Sequence, residues 1–164
     1  MRALLLASAV LFLAAIPVRA DEEKVPLDKV PKAILETVKK RFPKAEIVGA
    51  SKEENEDKKI VYEIELKEDG KTTDVTLTPE GAITLIEMQI DAEKLPKAVK
   101  ETLESKYAKA KIKLIEAVYS VKDGKETLDY YEAHLVLEDK KELEVVLTPD
   151  GKIKKTEEVK EEKK

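Results

Sequence analysis

The amino-acid sequence predicts an α+β fold in which two tandem repeats, each a helix packed on a four-stranded antiparallel sheet, join into one longer sheet. Self-similarity at a fixed spacing is the first reason. Val30-Pro31-Lys32-Ala33-Ile34-Leu35-Glu36-Thr37-Val38 recurs 65 positions on as Leu95-Pro96-Lys97-Ala98-Val99-Lys100-Glu101-Thr102-Leu103. Val75-Thr76-Leu77-Thr78-Pro79-Glu80-Gly81 recurs 70 positions on as Val145-Val146-Leu147-Thr148-Pro149-Asp150-Gly151. A four-residue apolar spacing at the start of each copy is the second reason, and apolar-polar alternation further along is the third.

Met1 to Ala20 reads as a cleavable secretory leader: Arg2 gives a positive start, Ala3 to Ile16 is almost wholly apolar, and Pro17 breaks the run before Val18-Arg19-Ala20. The apolar run is shorter than the roughly 20 residues that span a bilayer, so no stable membrane insertion is expected after cleavage. The first repeat is expected over residues 21–89 and the second over 90–156. Val30, Ile34, Val38 and Phe42, like Leu95, Val99, Leu103 and Tyr107, form one helical stripe, with Ile34, Phe42, Val99 and Leu103 expected in the core. Pro31 and Pro96 suit a first helical turn, and Asp28 and Asp91 stand upstream as candidate caps. Pro43 ends the first helix, whereas Ala108 marks the end of the second less sharply.

Strands follow each helix. Segments near Glu46 to Ala50 and Lys111 to Val121 supply the first. Ile60, Tyr62, Ile64 and Leu66 then alternate with Val61, Glu63, Glu65 and Lys67, as Tyr131, Ala133, Leu135 and Leu137 alternate with Glu132, His134, Val136 and Glu138. Asp69-Gly70 has hairpin chemistry, and the two Thr-Pro-acid-Gly stretches read as turns into strands beginning at Ala82 and Lys152. Tyr62-Glu63 matches Tyr131-Glu132 at a spacing of 69, so the extra residues of the second copy fall mostly before that point, around Val121 to Lys125. Residues 157–164, all Lys and Glu except Val159, read as a charged, frayed tail.

The chain has 31 basic and 35 acidic residues and a net charge of −4, and loss of the leader removes Arg2 and Arg19 but no acid. Interleaved Lys and Glu on an acidic chain argue against nucleic acid as a partner. With no cysteine, an exported chain must rely on packing and sheet hydrogen bonds. Chemistry is sparse. His134 is the one histidine, and no His-x-x-x-His or Cys-x-x-Cys spacing exists, so neither a metal nor another cofactor is expected. Ser51, Ser105 and Ser120 lack a nucleophile-elbow context. The acids are too abundant for any carboxylate pair to single itself out. No catalytic residue is assigned.

The starts VPKAILETVKKRFP and LPKAVKETLESKYA, with the turns LTPEG and LTPDG, resemble the PepSY-like family of beta-lactamase-inhibitor-like proteins. The resemblance runs from about Val25 to Thr156. It implies a tandem helix-plus-four-stranded-sheet unit, and an extracytoplasmic role in binding or inhibiting an enzyme through sheet faces and loops. In a helix-on-sheet unit the far face of the sheet is left to water or a partner. Parity puts Val61 and Glu63 on one strand, and Tyr130, His134 and Val136 on another, on that face. These five are the candidate contact residues for an extracytoplasmic protein. The alternative is a periplasmic or secreted acidic protein with a structural or weak cation-binding role.

Overall fold

The computed structural model describes residues 23–55 and 57–159. The expected leader, Met1 to Ala20, and the end of the expected tail, 160–164, lie outside the described residues. Among the described residues the fold is α+β, with two α-helices and one open, nine-stranded antiparallel sheet whose strand order follows the chain. Helix α1 spans Lys32–Arg41 and helix α2 spans Lys97–Lys106. The strands are β1 (Glu23–Lys24), β2 (Glu46–Glu54), β3 (Ile60–Glu68), β4 (Lys71–Leu77), β5 (Ile83–Gln89), β6 (Lys111–Lys122), β7 (Lys125–Val136), β8 (Glu142–Leu147) and β9 (Ile153–Glu158).

Each helix is ten residues long, although Ala108 replaces the helix-ending Pro43. Both ends close alike: the Phe42 and Tyr107 N–H groups donate to the Val38 and Leu103 carbonyls, and Ala45 and Ala110 donate back to Phe42 and Tyr107. The entries differ from expectation. Pro31 and Pro96 are the cap residues themselves, and neither receives a side-chain cap bond. Asp28 lies inside a short 3-10 turn (Leu27–Lys29), and the Asp91 carboxylate is taken by Lys71 at 2.5 Å. The two prolines make those acids dispensable as caps, because each leaves one fewer N–H group to satisfy.

One core gathers Val30, Ile34 and Val38 of the first helical region with Ile64, Leu66, Val75, Leu77 and Ile86 of the sheet. The other gathers Leu95, Val99 and Leu103 with Ile115, Ala117, Tyr131, Ala133, Leu135, Val145 and Leu147. Phe42 is half-buried at the edge of the first. Strand β5 pairs with β6 from Leu85↔Ser120 to Gln89↔Glu116, so the sheet runs unbroken between the halves. Tyr119, in register with Ile86, packs against both cores, which places both helices on one side of the sheet.

The Thr-Pro-acid-Gly turns do more than reverse the chain. Gly81 and Gly151 both have positive φ, and a Cβ on them would meet the carbonyl oxygens of Ala33 and Ala98 at 2.8 and 2.5 Å. Each turn is therefore pressed against the first turn of its helix, where alanine keeps the surface low. Thr102 fastens the second contact by donating to the Gly151 carbonyl at 2.8 Å. The hairpin residues Asp69-Gly70 and Asp123-Gly124 all have positive φ, as a type I′ turn requires.

Several boundaries move outward. β2 continues to Glu54, beyond the expected Glu46 to Ala50, and β6 and β7 are twelve residues each, so the residues gained by the second copy lengthen this hairpin. Its far end reaches the first helix, where Arg41 makes a forked contact with Glu126 at 2.8 to 3.1 Å. Glu157 and Glu158, expected in the frayed tail, are the last residues of β9, opposite Glu144 and Leu143.

Replacing Ile34, which has no exposed surface, or Leu103, which is 5% exposed, with Ala should destabilise by about 2–5 kcal/mol in urea unfolding through lost burial plus a cavity. Gly151→Ala should lower the melting temperature more than Gly124→Ala. Both positions have positive φ, but only Gly151 has helix backbone where the methyl would go. Equal losses at the two glycines would show that turn conformation, not helix docking, sets the requirement.

Candidate functional site

The side of the sheet away from the helices is read from the register. Row by row, Glu65, Asp74 and Glu87 are in register on β3, β4 and β5, and Glu87 faces Val118, which faces Tyr130. In the next row Gln89, Glu116, Glu132, Val146 and Lys155 follow one another from β5 to β9. A third row sets His134 opposite Glu144, and Glu144 opposite Glu157. These rows bring carboxylates into adjacent registered positions, where like charges repel.

The five residues expected to face outward do lie on this side, but they are less open than alternation alone suggests. Tyr130, His134, Val136 and Glu63 are half-buried, and Val61 is buried, with 4% of its surface exposed. Val118 and Val146 on the same face are fully buried. The physical reason is crowding: short β-branched groups on interior strands lie between long neighbours whose aliphatic stems cover them. Val118 stands between Glu87 and Tyr130, and Val146 between Glu132 and Lys155. Val61 thus belongs to packing rather than to a contact surface.

His134 is the centre of this face. Its Nε2 lies 3.0 Å from Glu132 Oε1 and 3.7 Å from Glu116 Oε2. Glu116 and Glu132 are 8% and 9% exposed and face each other across β6 and β7. Donor atoms of all three residues lie within 4.8 Å of one another. The Glu132 hydrogen bond raises the His134 pKa above its usual value, with Glu116 and Glu144 adding to the effect and burial opposing it. Burial raises the Glu144 carboxyl, and the Glu132 charge raises it further. Tyr130 is pushed far up by burial and by the carboxylates of Glu87, Glu132, Glu144 and Asp129, and Lys154 lies over its ring, 5.1 Å from the centroid.

Sequence reading picked out His134 but missed Glu116 and Glu132 as its neighbours. One signal was present, since Glu132 and His134 are two apart on one strand and must share a face. Glu116 could not be found that way, because its position depends on the β6–β7 register and on a bulge between Val118 and Tyr119. Of the serines, Ser105 donates to the Thr102 carbonyl on α2, Ser51 is buried on β2, and Ser120 on β6 pairs with Leu85 and Thr127.

Helices on one side and an acidic, histidine-bearing sheet face on the other define an open-faced α+β protein. The chain belongs to the family described as "putative beta-lactamase-inhibitor-like, PepSY-like", whose model matches it twice, at residues 17–86 and 68–155. Solved structures share the fold at low identity. A DUF2874 family protein from Bacteroides uniformis is 15% identical over 78% of this chain and 88% of its own, with a TM-score of 0.60. A "putative periplasmic" protein from Bacteroides eggerthii is 14% identical over 79% and 88%, with a TM-score of 0.62. A BLIP-like protein from Bacteroides fragilis is 17% identical over 78% and 85%, with a TM-score of 0.56. Comparison with curated proteins gives no match. Among the described residues, no helix is long and apolar enough to cross a membrane.

The histidine predicts a pH dependence. A pKa raised in the folded state means that charged His134 adds stability fully present below its unfolded value of about 6.5, and lost as pH rises through the higher folded value. The urea midpoint should therefore fall as pH rises above about 6.5, and His134→Gln should flatten that step. A midpoint that falls equally in the variant would assign the step to other groups.

Proposed function

We propose that this protein is an exported, non-catalytic binding module: two tandem copies of one helix-on-sheet unit, cleaved after Ala20, that engage an extracytoplasmic protein through the sheet face opposite the helices. The observation that carries this reading is the composition of that face. Tyr130, with its large area and polar tip, sits among Glu65, Asp74, Glu87, Glu116, Glu132 and Glu144, while both helices pack on the other side. Tyrosine anchors interfaces more often than Lys or Glu does, and a row of carboxylates steers a basic partner into register. Family membership and the BLIP-like neighbour support binding or inhibition as the class of activity. The neighbour from Bacteroides eggerthii, with its periplasmic description, supports the periplasm as the place.

Capture from an envelope extract, with the protein as bait, tests the face as well as the binding. The pair Glu65→Lys and Tyr130→Ser should weaken retention of a partner by tenfold or more, about 1.4 kcal/mol. Reversing Lys39 and Lys100 on the helix side should leave retention unchanged. The opposite pattern would move the interface to the helices, and direct inhibition assays on the captured enzyme would separate binding from inhibition.

A further inference from the structure

We propose that Glu116, Glu132 and His134 form a binding site for one divalent transition-metal ion of the zinc type. The geometry is near what such an ion requires. With metal–ligand bonds of about 2.0–2.1 Å in a tetrahedron, neighbouring donor atoms stand about 3.3 Å apart. His134 Nε2 is 3.0 Å from Glu132 Oε1 and 3.7 Å from Glu116 Oε2, on either side of that value. The three ligand atoms lie within 4.8 Å of one another, so small side-chain rotations aim them at a common centre.

Burial and charge favour a cation there. Glu116 and Glu132, 8% and 9% exposed as residues, face each other in register, an arrangement that brings like charges close together. A divalent cation would draw on both carboxylates and the imidazole at once. Glu144, opposite His134 on β8, adds a third carboxylate at the rim. The His134 side chain keeps a quarter of its surface exposed, which gives an ion a way in. The fourth position is left to Glu144 or to water.

The donor set selects the ion. Calcium and magnesium take oxygen ligands, and magnesium demands an octahedron of them, whereas an imidazole nitrogen with two carboxylate oxygens suits zinc and its first-row neighbours. The first half of the chain carries no such set. By the repeat spacing and the matching registers Ser51↔Glu63 and Glu65↔Asp74, the places of Glu116, Glu132, His134 and Glu144 are held there by Ser51, Glu63, Glu65 and Asp74. The site is thus a property of the second half and not of acidic sheet surface in general. It stands whether or not the face also binds a protein.

The purified protein, free of any polyhistidine tag and stripped with a chelator, would be titrated with Zn²⁺ by calorimetry, and with Co²⁺ followed by its visible absorption. We expect one equivalent bound, a Co²⁺ spectrum of low coordination number, and no displacement by excess Ca²⁺. Glu116→Gln, Glu132→Gln and His134→Gln should each weaken Zn²⁺ by about tenfold or more. Glu65→Gln, at the matching place in the first half, should leave it unchanged. Melting of the metal-free variants shows that each is folded, and any one of the three that folds is sufficient for the comparison. Absence of one-to-one binding, equal affinity in the folded variants, or displacement by Ca²⁺ would each overturn the site and leave a histidine–glutamate ion pair only.

Discussion

Five residues of β5, Leu85 to Gln89, pair antiparallel with Ser120 to Glu116 of β6, and most of the molecule's other features depend on that ladder. Because antiparallel partners in register point the same way, it carries the helix-covered side of the first half into the helix-covered side of the second. Tyr119 can then serve both cores, and Val121 of β6 packs into the first one. A first half cut before β6 would lose those side chains and expose the β5 edge. The same ladder keeps the opposite face continuous, so that Glu87 and Gln89 stand beside Val118 and Glu116 rather than at a seam.

The start of the chain repeats this connection in miniature. Lys24 pairs with Ser51, and the Val25 N–H donates to the Ala50 carbonyl at 2.9 Å, as Gln89 pairs with Glu116 and Ile90 donates to Ile115 at 2.9 Å. These positions obey the spacing of 65 that relates the helices. In both halves a strand leads through a 3-10 turn and a proline into the helix, which lies over the sheet before the chain re-enters beside that strand. In the first half this leading strand is the short β1; in the second it is β5, already the last strand of its neighbour.

Much of the frame was legible in the sequence because its causes are local. The four-residue stripes containing Ile34 and Val99, the alternation of Ile64 and Leu66 or Ala133 and Leu135, and the Asp69-Gly70 turn all act within a few residues. The role of Gly81 and Gly151 was half legible. A turn was readable, but the near contact with Ala33 and Ala98 joins residues some fifty positions apart. Helix entry misled because Asp28 and Asp91 look like caps until the prolines are seen to occupy that place. The candidate site was least legible. Alternation assigned His134 and Val61 to the right face, yet burial of Val61 and the approach of Glu116 arise from register and crowding across strands.

Two near-copies of a frame differ most usefully where packing does not constrain them. On the helix side many core positions match, Val30 with Leu95, Ile34 with Val99, Leu66 with Leu135, Leu77 with Leu147 and Gly81 with Gly151, because each fills a similar space. On the far side Ser51 answers to Glu116 and Glu65 to His134, changes that leave the hydrogen-bond ladders untouched and alter only charge and donor type. Placing a glutamate opposite another glutamate in register is unfavourable in isolation, because like charges directly opposite repel. The frame can hold such a pair because the cores beneath β6 and β7 and the twelve-residue hairpin fix the strands that carry it. Stability supplied on one face thus holds closely spaced carboxylates on the other. That division of labour, with packing duplicated and chemistry diverged, is why the second half bears the distinctive side chains of this chain.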